Sequence, residues 1–120
     1  MSYSLEIHPD LVDDITEIAS FLNSQSIGLG DDFVIAVDDT LENIENEINK
    51  HIFSGRKHSN FFAKTVKGYA SSPSYAKNFT SYQIWYELLE EDSMVMVIVT
   101  AIIYSRRSIE FIRALLRSRQ

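Results

Sequence analysis

One apolar segment limits the fold of this chain more than any other feature. Residues 94 to 104 are almost uniformly apolar, and only Thr100 interrupts the run. The run is far shorter than the roughly 20 residues that a membrane-spanning helix needs. The run also lacks the polar alternation of a strand with one solvent-exposed face. It therefore predicts a central β-strand that is covered on both faces.

Two amphipathic helices are predicted in the first half of the chain. A strand precedes them, because Tyr3, Leu5 and Ile7 alternate with polar residues until Pro9 ends the strand and suits a first helical turn. Apolar residues then recur at helical spacing in two stripes, which the turn-forming residues 23 to 30 separate. The stripes are Leu11, Ile15, Ile18 and Leu22, followed by Phe33, Val37, Leu41, Ile44 and Ile48. Because the connection is short, we expect the helices to pack antiparallel against a common core.

The second half of the chain predicts the sheet. Residues 61 to 66 form a weak strand inside the loop-rich segment 51 to 78, residues 82 to 89 alternate as a strand, and residues 90 to 93 form a hairpin turn. Residues 108 to 119 form a final helix. The expected fold class is therefore α+β, with an N-terminal strand, an antiparallel two-helix hairpin on a mainly antiparallel sheet of three to four strands, and a short C-terminal helix. The length fits one domain, residues 1 to 120.

Charge divides the chain into an acidic and a basic half. Residues 1 to 50 hold twelve acidic side chains against Lys50 alone, a formal charge of −11, and residues 51 to 120 hold ten basic side chains against five acidic ones, a charge of +5. With a net charge of −6, the chain is a poor general binder of nucleic acid, and any polyanion contact must come from the second half. The acids of the first helices, among them Asp13, Asp14 and Glu17, are interpreted as solvated surface.

Composition excludes several kinds of site. The chain has no cysteine, which excludes a disulfide framework, a thiolate zinc site and a cysteine nucleophile. His8, His51 and His58 have no metal-ligand spacing, so no metal or cofactor is expected. The first nine residues lack the basic cluster and apolar run of a signal peptide, and no segment reaches membrane length. We therefore expect a soluble, cytoplasmic protein.

Four segments resemble, in this order, those of the ParE/RelE superfamily of toxins from bacterial type II toxin–antitoxin pairs, which also includes plasmid stabilisation proteins. They are YSLEIHPDLVDDITEIASFL at the start, GLGDDF before the second helix, FTSYQIWYELLEED in the hairpin, and IIYSRRSIEF at the end of the last strand. The similarity covers most of the chain outside residues 51 to 78.

The resemblance implies a small toxin that a cognate antitoxin neutralises by lying across its groove and sheet edge. RelE-like members are metal-independent endoribonucleases that cut messenger RNA on the ribosome. ParE-like members have a longer helical hairpin and poison DNA gyrase. The long hairpin here, residues 10 to 50, favours the ParE-like group and a toxin that acts by binding a protein, without being an enzyme. A non-toxic relative that is kept as a binding module is a third possibility.

The closest local likeness to the family is the end of the last strand. Family members often have a His there, then a small residue, one or two Arg, and Asp-Pro, where this chain has YSRRSI over residues 104 to 109. The Arg pair is retained, but Tyr104 replaces the His, which weakens the case for His-based acid chemistry. Under the ribonuclease alternative the catalytic candidates are Tyr104, Arg106, Arg107 and Lys77.

A second set of candidates applies if the chain works by binding a protein. The expected partner-binding residues are the Arg pair, two bases of the final helix and an aromatic anchor, which are Arg106, Arg107, Arg113, Arg117 and Trp85. Arg119 belongs to the same basic helix.

Overall fold

The elements of the fold follow the order that the sequence predicts. The computed structural model describes residues 2–50, 56–58, 61–67, 79–91 and 94–120. Within these ranges the elements are β1 (Ser2–Ile7), α1 (Leu11–Gln25), α2 (Leu29–Asn49), β2 (Arg56–His58), β3 (Phe61–Val66), β4 (Phe79–Glu91), β5 (Met94–Tyr104) and α3 (Ile109–Ser118). The predicted α+β class is confirmed. The candidate residue Lys77 and His51 lie outside the described residues.

The strands form one sheet in the order β1-β5-β4-β3-β2. β5 pairs in parallel with β1 and antiparallel with β4, and the other pairings are antiparallel. The predicted interior position of the apolar run is therefore confirmed. The four predicted strands are present, and β2 adds a three-residue edge strand that the sequence did not indicate.

Helices cover both faces of the sheet. The hairpin of α1 and α2 packs on one face, where the buried residues are Leu11, Leu22, Phe33, Ala36, Val37, Ile44, Ile48, Phe62, Val66, Phe79, Ile84, Tyr86, Val95, Val97, Val99 and Ile102. α3 packs on the opposite face over Phe61, Ala63, Trp85, Ala101 and Ile103 through Ile112 and Leu116. This two-sided covering explains why β5 carries apolar residues at successive positions.

An extra residue in β5 changes which side chains face each layer. The register pairs Tyr86 with Val99 and Trp85 with Ala101, so Thr100 has no counterpart in β4. Before this β-bulge the odd-numbered residues face the hairpin, and after it Ile102 does so. A bulge increases strand twist locally and re-aims side chains. The last residues of β5 consequently present a different pattern from the rest of the strand.

A buried polar contact joins α2 to the sheet on the hairpin face. The ammonium of Lys64 in β3 lies 2.5 Å from the Glu47 carboxylate in α2, and both side chains are largely withdrawn from solvent. Burial, together with the nearby Glu47 charge, raises the pKa of Tyr86 to about 12. The Tyr86 ring stacks on Phe62 with ring centroids 5.5 Å apart.

The hairpin of α1 and α2 depends on a close approach at Gly30. The Gly30 N–H donates to Asn23 Oδ1 at 2.7 Å, and a Cβ added at Gly30 would lie 2.1 Å from the Ala19 carbonyl oxygen. Gly28, the residue that caps α2, has a left-handed φ of 82°, which glycine adopts without strain.

Among the described residues, no helix combines the length and the apolar character that a membrane span requires.

The substitution Gly30→Ala is expected to lower the free energy of unfolding by about 1 to 3 kcal/mol, because the helices must separate to admit the methyl group. The matched control is Gly28→Asn, because an added Cβ at Gly28 meets no atom within 4 Å and Asn is a residue type that visits left-handed backbone. The control should cost less stability than Gly30→Ala, because it adds only the strain of a non-glycine residue at a positive φ. Urea denaturation of both variants measures the difference, and equal losses would contradict the close approach.

Candidate functional site

The last five residues of β5 form an open sheet edge. Strand β1 ends where Ile7 pairs with Val99, and the His8 N–H donates to the Val99 carbonyl at 2.8 Å. Pro9 then directs the chain into α1. Within the described part of the chain, no strand lies beside residues 100 to 104 on the side that β1 leaves. An unpaired edge of this kind exposes backbone groups that another segment can bind.

Two side chains cover part of this edge. Asp14 Oδ2 accepts a hydrogen bond from the Ile102 N–H at 3.2 Å, and Arg119 Nη1 donates to the Thr100 carbonyl at 3.0 Å. Arg119 and Asp14 also form a bidentate pair, at 2.6 Å and 2.8 Å. Together the two side chains occupy hydrogen-bonding positions that a neighbouring strand would otherwise take.

The Asp14–Arg119 pair is largely withdrawn from solvent. The side chains are 13% and 11% exposed, and the Asp10 carboxylate lies 3.7 Å from Arg119 Nε. The hydrogen bond to Asp14 is the main cause that raises the pKa of Arg119. Two helix ends bring the pair together, because Asp14 lies in the first turn of α1 and Arg119 caps the C-terminus of α3. A guanidinium and a carboxylate in this arrangement have the geometry of a strong charge-assisted contact.

Beyond this pair, the open edge forms the floor of a groove of about 620 Å³ between α1 and α3. We call it the β5-edge groove. Its lining residues are Asp14, Glu17, Ile18 and Phe21 from α1, Tyr82 from β4, Ile102, Ile103 and Tyr104 from β5, and Arg107, Phe111, Leu115 and Arg119 from the C-terminal part. Phe21, Tyr104 and Phe111 are exposed aromatic residues. Exposed aromatic residues in a concave apolar surface are typical of sites that bind other molecules.

Two of the predicted catalytic residues lie in this groove. Tyr104 and Arg107 both line the β5-edge groove. The Arg107 guanidinium carbon lies 4.9 Å from the centre of the Phe111 ring. The Tyr104 ring lies 5.7 Å from Tyr82, whose pKa is raised by burial and then by Tyr104. Arg106 is exposed in the turn after β5 and does not line the groove. The structure therefore separates the Arg pair into one groove residue and one residue outside it.

The predicted partner contact through Trp85 is wrong. Trp85 is 0% exposed, because β4 lies inside the sheet and α3 covers this side chain together with Ala101 and Ile112. A buried ring offers no surface to a partner. Arg113 and Arg117 are exposed on α3, but neither lines the β5-edge groove.

The groove also contains residues that the sequence pattern does not mark as binding residues. Phe21 lies off the apolar stripe of α1, and an aromatic residue in that position is a signal that could have indicated a binding surface. Phe111 lies next to the buried stripe of α3 in the same way. The sequence pattern predicts Asp14 as solvated surface, and nothing in the local pattern indicates its pairing with a residue 105 positions away.

A second pocket lies on the other side of Arg119. It measures about 300 Å³, and Glu6, His8, Glu87 and Ile98 are among its lining residues. Glu87 is buried and accepts a hydrogen bond from Gln120 Nε2 at 2.8 Å. Two carboxylates on this surface disfavour a phosphate ligand, because like charges repel. His8 lies in this pocket and not in the groove that contains Tyr104.

The substitution Asp14→Ala is expected to lower the free energy of unfolding by about 3 kcal/mol, since it leaves the Arg119 guanidinium without its carboxylate and the Ile102 N–H without its acceptor. Asp13→Ala is the matched control, because Asp13 is an exposed acid in the same helical turn. The control should change stability by less than about 0.5 kcal/mol. Both values come from urea denaturation at pH 7, and a small loss in Asp14→Ala would show that the pair does not stabilise the fold.

No model of a known protein family matches the chain, and no curated protein matches it in sequence. The relation to ParE/RelE toxins therefore stays a prediction from the sequence.

Proposed function

We propose that this chain is the ParE-like toxin of a type II toxin–antitoxin pair. It acts by binding a protein, DNA gyrase, and a cognate antitoxin neutralises it. The observation that carries the proposal is the β5-edge groove. It combines an apolar lining, exposed aromatic residues and an open strand edge, the features by which protein segments are bound.

The size of the helical hairpin supports the ParE-like group over the RelE-like group. α1 and α2 run for 15 and 21 residues, and the connection between them is short. The charge of the surface supports the same choice. Glu6 and Glu87 line the pocket of about 300 Å³ beside the groove, whereas a ribonuclease needs cations where it holds the phosphates of its substrate.

The second candidate function is a ribosome-dependent endoribonuclease, and one observation favours it. Tyr104 and Arg107 line the same groove, so an acid and a cation share one surface. Against it, Arg107 lies over the Phe111 ring and Arg106 is outside the groove. Among the described residues, no histidine lines the groove to act as a base. The third candidate, a non-toxic relative that serves as a binding module, would use the same groove without toxicity.

Purified chain added to a gyrase supercoiling assay is expected to inhibit supercoiling, and expression of the chain without its antitoxin is expected to arrest bacterial growth. Unaffected supercoiling together with normal growth would contradict the proposal. Cleavage of transcripts that disappears in Arg106→Ala or Arg107→Ala would instead establish the ribonuclease alternative.

The groove itself is tested by Phe21→Glu, which places a charge in its apolar lining. The inhibition of supercoiling should weaken by about tenfold or more, since an aromatic contact is lost and a carboxylate is desolvated. Ile35→Glu is the matched control, because Ile35 is 55% exposed on α2, outside the groove, and Phe21 is 56% exposed. Equal effects of the two substitutions would place the target-binding surface elsewhere.

A further inference from the structure

The pocket of about 300 Å³ beside Arg119 contains a row of side chains that crosses three strands. Ile98 of β5 pairs with Glu6 of β1 on one side and with Glu87 of β4 on the other. Paired residues of neighbouring strands point to the same face of a sheet, and all three line the pocket. Since neighbouring strands lie about 4.8 Å apart, the Cα atoms of the two glutamates are roughly 10 Å apart, with an isoleucine between them.

Glu87 is a buried carboxylate that has no cationic partner in the described part of the chain. The residue is 8% exposed, and its side chain has one hydrogen-bond partner there, the neutral amide of Gln120, at 2.8 Å. Arg119 lines the same pocket, but Asp14 accepts two hydrogen bonds from its guanidinium. Because a carboxylate is costly to bury without a positive charge beside it, this side of the pocket favours a cation.

The other end of the row offers a second carboxylate. Glu6 is exposed, and no ion pair among the described residues includes it. The surface between the two carboxylates is apolar, because Ile98 separates them and Leu89 lies beside Glu87 on the same face of β4. Within the described ranges, no group of three or more His, Asp or Glu side chains could hold a metal ion. The pocket is therefore negative at two ends and apolar in the middle.

We propose that this pocket binds a linear aliphatic diamine, with one ammonium at Glu87, the other at Glu6 and the methylene chain across Ile98. Primary amines are protonated at pH 7, as the lysine side chain is, so two positive charges meet two negative ones. A volume of about 300 Å³ is at the small end of ligand pockets, which fits a small molecule better than a segment of a protein. The inference goes beyond the proposed function and does not depend on it.

The distance between the glutamates sets the length of the diamine. A chain of about four methylene groups spans roughly 6 Å between its nitrogen atoms, and hydrogen bonds of about 2.8 Å extend that reach at both ends. Such a molecule can contact both carboxylates at once, whereas a monoamine of the same length contacts one. The second charged hydrogen bond should make the diamine bind about tenfold or more tightly.

Calorimetry at pH 7 with the full chain compares putrescine, a diamine of this length, with butylamine as the monoamine. Putrescine should bind about tenfold or more tightly than butylamine. Glu87→Gln and Glu6→Gln should each lower the affinity for putrescine about tenfold, because each removes one charge and keeps the shape of the side chain. Glu90→Gln is the matched control and should bind like the unaltered chain, since Glu90 is exposed in β4 and lies outside the pocket.

Equal affinities for putrescine and butylamine, or the absence of binding, would overturn the proposal. An equal loss of affinity in Glu90→Gln would also overturn it, because that result indicates non-specific attraction to a chain with a net charge of −6. Circular dichroism establishes that each variant is folded. Because Glu6 is exposed, Glu6→Gln decides the test even if Glu87→Gln does not fold.

NMR of the complex locates the bound diamine. The methylene protons of putrescine should give nuclear Overhauser effects to the side chains of Ile98 and Leu89, which line the pocket. Effects to Phe21 or Tyr104 instead would place the diamine in the β5-edge groove and contradict the proposed site. Neither measurement involves gyrase, so the diamine site and the proposed function can fail separately.

Discussion

The carboxylate of Asp14 and the guanidinium of Arg119 meet where β1 ends and β5 continues with β4 as its one neighbouring strand among the described residues. Their contact joins the first helix to the end of the last one, across 105 positions of sequence. It also supplies partners to the Ile102 N–H and the Thr100 carbonyl. A buried ion pair is costly to form unless its remaining hydrogen bonds are satisfied, and here the open edge of the strand satisfies them. The pair and the edge therefore stabilise each other.

The shape of the candidate site follows from two properties of β5. The strand extends beyond its neighbour β1, so its last residues have helices above and below and β4 on one side, and among the described residues no strand lies on the other side. The extra residue Thr100 turns Ile102 toward the hairpin face and Ala101 toward α3. The apolar core thus extends to the rim of the sheet, where Phe21 and Phe111 continue it into solvent. An apolar surface at a strand edge can bind another protein segment, and the proposed binding function rests on this property.

Much of the fold could be predicted from the sequence, because periodicity records which face of an element is buried. The apolar run 94 to 104 indicated an interior strand, and the two stripes from Leu11 to Ile48 indicated the hairpin that covers it. Periodicity predicts the candidate site less well than it predicts the fold. A run without alternation gives no sign of a bulge, so Thr100 looked like a simple interruption. Periodicity also does not state whether a helix covers the second face of a strand, and Trp85 is buried because α3 covers it. The pairing of Asp14 with Arg119 depends on tertiary structure alone.

Hydrogen exchange at the Ile102 amide, followed residue by residue by NMR in the full chain, tests most directly whether side chains close the open edge. The account predicts that Ile102 exchanges within about tenfold of Val97, which has strands on both sides, although Ile102 has a strand on one side only. In Asp14→Ala, exchange at Ile102 should rise by about a hundredfold relative to Val97 in the same chain. An Ile102 amide that exchanges as fast as an unprotected edge in the unaltered chain would contradict the account.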